Sequence, residues 1–196
     1  LSLLKCIYEY KQKKISNYNL AKEALFIERK FNKFCGFQDP FGCGIPGFKI
    51  INTSDDNKYL INSLNNEIFK KFNFYLIPTF IHRNSKTILQ NLSTKLNLIY
   101  PLWEVAKEAE NYILNKNYLK FLELIKTSWD LKRQSSPEII KNNKLIGIDN
   151  KLEKNSDIIC HKLLGAGAGG FFLVVSKKKI GKSLLKSAIK ININEK

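Results

Sequence analysis

The chain contains no methionine, not even at position 1, and only two histidines and two tryptophans among 196 residues. His82 and His161 are too few and too scattered for a zinc site, and Cys6, Cys35, Cys43 and Cys160 form no CxxC pair. Four free thiols in a reducing cytoplasm is the plain reading. A disulfide or reactive thiol at Cys35 and Cys43 is the alternative. No apolar run approaches the length of a membrane span, and the first residues lack the layout of a signal peptide. With no methionine and with Leu1 already inside a helical pattern, the sequence reads as a fragment that has lost its N-terminal part.

What is present is a globular composition, 44% hydrophobic and 26% charged, long enough for one domain or two small ones. The net charge of +16 invites a nucleic-acid reading. The excess is spread along the chain, however, and comes with abundant Asn, Ile, Phe and Tyr, the residues of A/T-rich coding. Its densest block is Lys177-Lys178-Lys179, and no nucleic-acid motif accompanies it. It reads as a coding bias on a solvated surface that still favours anionic substrates through long-range attraction.

Hydrophobic periodicity predicts helices over 1–13 and from Asn17 or Asn19 to Phe34, the second with a stripe of Leu20, Ala24, Ile27, Phe31 and Phe34. Cys35 to Gly47 is dense in glycine and proline and reads as a loop. Strands are expected over Phe48–Asn52 and Phe74–Thr79, the latter ending at Pro78 or lying at an edge. Helices follow over Ser85–Leu96, Pro101–Asn115 and Tyr118–Arg133, with another from Ser136 broken near Gly147. Two strands then flank a glycine cluster, and a short basic helix, Gly181–Ile189, closes the chain. The fold class is α+β with a mostly antiparallel sheet.

Two places carry candidate chemistry. Gly165, Gly167, Gly169 and Gly170 lie in Lys162-Leu-Leu-Gly-Ala-Gly-Ala-Gly-Gly-Phe-Phe-Leu-Val-Val175, between two apolar runs. Such a cluster serves either a tight hairpin or an anion-cradling backbone. Asp39 precedes Pro40, which favours an extended conformation for it. Phe34, Phe37 and Phe41 offer walls that would dry its carboxylate. Asp39 is either an Asx-turn cap or an acid that does chemistry. Glu28, on the flank of the preceding helix, has no cation three or four residues away. It is either half of a surface ion pair or a second acid. Two carboxylates and a phosphate-cradling loop suit phosphoryl transfer, one holding Mg²⁺ and one orienting a hydroxyl.

The order of a helix bearing Glu28, then Cys35-Gly-Phe-Gln-Asp-Pro-Phe-Gly42, then the glycine stretch resembles the GHMP small-molecule kinases. The similarity extends to the sugar-kinase branch that includes D-glycero-D-manno-heptose 7-phosphate kinase. Phe48-Lys49-Ile50-Ile51, His82-Arg83-Asn84-Ser85-Lys86-Thr87-Ile88-Leu89 and Ser128-Trp129-Asp130-Leu131-Lys132-Arg133 support that branch. The resemblance implies a two-domain fold, with residues 1–70 the end of the ATP-binding domain and 71–196 a ferredoxin-like C-terminal domain. It implies Asp39 as catalytic aspartate, Glu28 as Mg²⁺ ligand, and Gly165, Gly167, Gly169 and Gly170 as the motif shaping the site around substrate and phosphates. It further implies that Arg83 contacts an anionic part of the substrate, with a structural role as its alternative.

Two residues depart from the family pattern. Ala168 replaces a glycine, a swap tolerated at negative φ, and Pro40 replaces a glutamine. The family's Pro-x-Gly-Leu-Gly-Ser-Ser phosphate loop is absent, and residues 1–13 read as the continuation of the helix it opens. The expected function is therefore ATP- and Mg²⁺-dependent phosphorylation of a sugar or sugar-phosphate hydroxyl in the cytoplasm, with no nucleic-acid or membrane partner and the fragment alone inactive. A non-catalytic sugar- or protein-binding relative is the alternative.

Overall fold

Ser16, not Asn17 or Asn19, starts the second helix: its hydroxyl accepts from the backbone of Asn19 at 3.2 Å. The computed structural model describes residues 1–54, 58–82, 99–181 and 187–192. They divide into two compact units, Leu1–Asn65 and Asn66–Lys196.

The first unit holds α1 (Ser2–Tyr10), α2 (Asn17–Phe31), α3 (Gln38–Gly44) and an antiparallel hairpin of β1 (Lys49–Thr53) and β2 (Tyr59–Ser63). Helix α2 buries Leu20, Ala21, Ala24 and Leu25. The expected stripe keeps only Leu20 and Ala24, while Ile27 and Phe31 are 38% and 80% exposed. The reason is close packing between helices: an added Cβ on Gly44 of α3 would lie 3.1 Å from the Ala21 Cβ, so the small face of α2 is the one turned inward.

Helix α3 corrects the expected loop. Pro40 occupies the third helical position, where no intrahelical N–H bond is required, so the residue that discouraged a helix is compatible with one. Phe41 is fully buried, with its ring 5.4 Å from Tyr18 and 4.3 Å from Tyr59. That anchor overrides weak local propensity. The far end of α3 is capped by Lys49 of β1, whose ammonium donates to the carbonyls of Gly42 (3.0 Å), Ile45 (2.6 Å) and Gly47 (3.0 Å).

The second unit comprises α4 (Glu67–Lys71), β3 (Asn73–Pro78), α5 (Ile99–Leu114), α6 (Tyr118–Ser135), a 3₁₀ turn (Pro137–Ile139), α7 (Asn143–Glu153), β4 (Ile158–Leu163), β5 (Phe171–Ser176) and β6 (Ile189–Lys190). The sheet is antiparallel in the order β4-β5-β3-β6. Strand β3 ends at Pro78 as expected, yet it is an interior strand. Its partner β6 pairs only with Tyr75 and Leu76, leaving Pro78 beyond that short ladder. Tyr75, Ile77, Leu163, Phe172 and Val174 of the sheet pack with Trp129 of α6, Ile139 of the turn, and Leu145 and Leu152 of α7.

Two further helix expectations are corrected. The helix expected from Ser136 and broken at Gly147 is instead the 3₁₀ turn followed by α7, which runs through Gly147. Asn142 caps α7 by accepting from the Lys144 amide at 2.8 Å. Gly147 stands on the exposed side, where a helical glycine costs about 1 kcal/mol but does not break the helix. Ile189, expected to end a basic helix, lies in β6, while 182–186 and the helix expected over Ser85–Leu96 fall outside the described residues. No helix among the described residues is long and apolar enough to cross a membrane. The chain is α+β.

Candidate functional site

In the first unit, α2 and α3 present Glu28 and Asp39 on either side of a short connection. Glu28 is in the last turn of α2 and is exposed. The connection is held by Arg29, whose Nε donates to the Cys35 carbonyl at 3.2 Å, and by the Cys35 amide, which donates to the Asn32 carbonyl at 3.0 Å. These bonds deliver Cys35 to Glu28: the thiol donates to Glu28 Oε2 at 2.9 Å. Asp39 lies in the first turn of α3 and is close enough for its charge to act on the same thiol. Partial burial, the Glu28 hydrogen bond and the charges of Glu28 and Asp39 together push the Cys35 thiol up to about 11, against a smaller opposing effect of Arg29. The structure thus gathers both predicted acids around one cysteine.

Asp39 is neither extended nor walled in. It is helical and exposed, because Pro40 and Phe41 turn into the core and leave the aspartate on the outer side. A cleft of about 340 Å³ is lined by Gly36, Phe37 and Gln38, just before Asp39 in the chain, and by Lys49 and Ile51 of β1. Among the described residues, no group of three or more His, Cys, Asp or Glu side chains forms a metal cage. All four cysteines are free, Cys35 and Cys43 included.

In the second unit, the glycines form the loop of the β4–β5 hairpin. Gly165, Gly167, Gly169 and Gly170 all have positive φ. So does Ala168, at +56°, which corrects the expectation that alanine is tolerated there at negative φ: it occupies the left-handed region that disfavours a Cβ. Two glycines are required by close approach. A Cβ on Gly169 would lie 2.6 Å from the Ile81 carbonyl oxygen, and one on Gly167 would lie 3.0 Å from Ile139 Cγ2.

Three elements pin the loop. The Ala168 amide donates to the Ile139 carbonyl at 2.8 Å. The Thr79 amide and hydroxyl both donate to the Gly170 carbonyl at 2.9 Å. Lys132 of α6 donates from Nζ to the Gly165 carbonyl. The tight-hairpin reading therefore accounts for much of the glycine content. Arg83 falls outside the described residues.

The stretch Ser128–Arg133 is spent on architecture. Ser128 Oγ accepts from Lys162 at 2.9 Å, and Trp129 Nε1 donates to Asp149 Oδ1 at 2.8 Å. Arg133 pairs with Asp130 and donates to Asp149 Oδ2 at 2.6 Å. His161 Nε2 lies 2.8 Å from Asp149 Oδ1, making Asp149 the centre of a buried polar network joining α6, α7 and β4. Sequence reasoning missed the anchoring roles of Lys49, Lys132 and Asp149. The Lys132 and Asp149 contacts reach partners 33, 20, 16 and 12 residues away, which local patterns do not encode.

No family model and no curated protein matches the chain. Solved structures do. Streptococcus pneumoniae phosphomevalonate kinase, in complex with phosphomevalonate and AMPPNP, is similar with a TM-score of 0.77 at 14% identity, covering 95% of this chain and 65% of that one. Methanococcus jannaschii mevalonate kinase gives 0.66 at 17% identity, covering 94% and 58%. Lactococcus lactis galactokinase, complexed with galactose, gives 0.65 at 14% identity, covering 88% and 54%. The chain spans less than two thirds of the length of each of these proteins. At such identities the likeness is one of fold, and the fold is GHMP-kinase-like.

Proposed function

We propose that the chain carries the acid pair and glycine hairpin of a GHMP-type kinase that phosphorylates a hydroxyl of a sugar or sugar phosphate, of the heptose 7-phosphate kind. Residues 1–70 then belong to the ATP-binding domain and 71–196 to the C-terminal domain, although the two compact units divide slightly earlier, after Asn65. The observation that carries this reading is the gathering of Glu28 and Asp39 around Cys35 by two consecutive helices, in a fold similar to that of small-molecule kinases.

Magnesium is commonly held by one or two carboxylates together with phosphate and water oxygens, so a single exposed glutamate suits it without a protein cage. Glu28 would hold the ion. Bound Mg²⁺·ATP supplies the phosphoryl group and neutralises its charge. Asp39 accepts or orients the proton of the attacking hydroxyl, its exposed position leaving room for a substrate. Gly165, Gly167, Gly169 and Gly170 leave much of the loop as bare backbone, against which phosphates or substrate lie. Arg83 meets an anionic part of the substrate.

The test is phosphate transfer from ATP to a panel of sugars and sugar phosphates by a protein in which a phosphate-binding loop is joined ahead of Leu1, since the 196 residues alone are expected to be inactive, comparing that protein with its Asp39→Asn variant. A loss of turnover of about 10²–10⁴-fold with unchanged melting is expected for removal of a general base. Undiminished turnover in Asp39→Asn would remove Asp39 from the chemistry.

A further inference from the structure

At the start of β3, far from the glycine hairpin, four lysines line one cleft. The β3–β5 ladder runs from Asn73↔Ser176 to Pro78↔Phe171, so its two ends are separated by about 17 Å of strand. The glycine loop adjoins the Phe171 end. At the other end a cleft of about 470 Å³ is lined by Lys70 and Lys71 from the last turn of α4, Lys177 just after β5, and Lys190 of β6. Asn73 and Asn192 add amides.

The placement is fixed by backbone. Lys190 pairs with Tyr75 on one side of β3, and the Asn73 side chain donates to the Lys177 carbonyl at 3.3 Å on the other. Among the described residues, no acidic residue lines the cleft. Glu67, on the same helix as Lys70 and Lys71, is engaged by Lys116 at 3.0 Å and by the Tyr118 hydroxyl at 3.0 Å, although its charge also reaches Lys71. Lys71 itself lies 4.9 Å from the centre of the Tyr118 ring.

Lys70 and Lys71 have an ordinary explanation, since cations favour a helix C-terminus. Lys177 and Lys190 are at no helix end, and with Lys70 and Lys71 they give one cleft a positive lining. A multiply charged anion would neutralise it. The volume is that of a metabolite-sized pocket. We propose that this cleft binds a small phosphate-bearing anion.

The probe is inorganic pyrophosphate, titrated calorimetrically without Mg²⁺ into the 196-residue chain at 150 mM salt. Three proteins are compared: wild type, Lys177→Gln/Lys190→Gln, and Lys151→Gln/Lys154→Gln, which removes the same charge from the C-terminal end of α7 and its cap. Saturable one-to-one binding is expected in the first and third, weakened about tenfold or more in the second. Melting of the unliganded Lys177→Gln/Lys190→Gln protein should be unchanged or higher. If that variant does not fold, Lys70→Gln replaces it, with a smaller loss of affinity expected. Absence of saturable binding, equal weakening in both double variants, or full binding without Lys177 and Lys190 would each overturn the proposal. So would a duplex oligonucleotide that binds tighter than pyrophosphate through the same lysines, since the surface would then be one for nucleic acid.

Discussion

The Cys35 thiol donates to Glu28 Oε2 at 2.9 Å, so the only carboxylate on the last turn of α2 is tied to the residue that leads into α3. Because the thiol is pushed up to about 11 by burial first and by Glu28 and Asp39 next, about a thousandth of it is ionised at pH 8. Its alkylation rate should rise about tenfold per pH unit through the neutral and mildly basic range, levelling only above pH 11. In Glu28→Gln the whole profile should move to lower pH. Iodoacetamide kinetics with mass spectrometry at Cys35 measures both, and an identical profile in the variant would mean the hydrogen bond does not govern the thiol.

The glycine hairpin separates two causes of glycine preference. Ala168→Gly should stabilise by about 0.5–1 kcal/mol, because removing a left-handed Cβ outweighs the added freedom of the unfolded chain. Gly169→Ala meets the Ile81 carbonyl oxygen as well as an unfavourable φ and should destabilise by about 3 kcal/mol. Urea denaturation of the two single variants gives both signs.

Asp149 is buried, which acts to raise its pKa, yet hydrogen bonds from His161 and Trp129 and the charge of Arg133 hold it below the ordinary carboxylate range. A depressed folded pKa means stability that is fully present above the unfolded value, near 3.8, and is lost as pH falls below it. Asp149→Asn should therefore lower stability at pH 7 by about 3 kcal/mol, because Arg133 is left with Asp130 alone and the buried network loses the charged acceptor shared by Trp129 and His161. It should also flatten the decline below pH 4. Denaturation midpoints from pH 2.5 to 7 test both effects together.

Gly147 lies inside α7 with open space where its Cβ would be. Gly147→Ala should add about 1 kcal/mol from helix propensity alone. A melting scan suffices, and a loss of stability would mean the helix needs the glycine for its backbone.

The nearness of Glu28 and Asp39 was legible because a helix, a short connection and a second acid lie close in sequence. The conformation of Asp39 was not, because a proline inside the first turn of a helix looks the same as one inside a loop until Phe41 finds its pocket between Tyr18 and Tyr59. The buried face of α2 was misplaced by the rule that large apolar residues go inside; close contact with Gly44 selected Ala21 instead. Strand β2 and helix α4 escaped notice because Tyr59–Ser63 is half polar and Glu67–Lys71 is too short to show a period. The condition set for Ala168, a negative φ, is not met, and a sequence carries no sign of φ.

The glycine hairpin has one last consequence. A loop this poor in side chains would normally sample many shapes, and a ligand would have to select one at an entropic cost. Here Thr79, Lys132 and Ile139 fix it from three separate elements. The ordering is completed when the second unit folds, so whatever later meets those backbone groups encounters a preorganised surface and loses no affinity to freezing it.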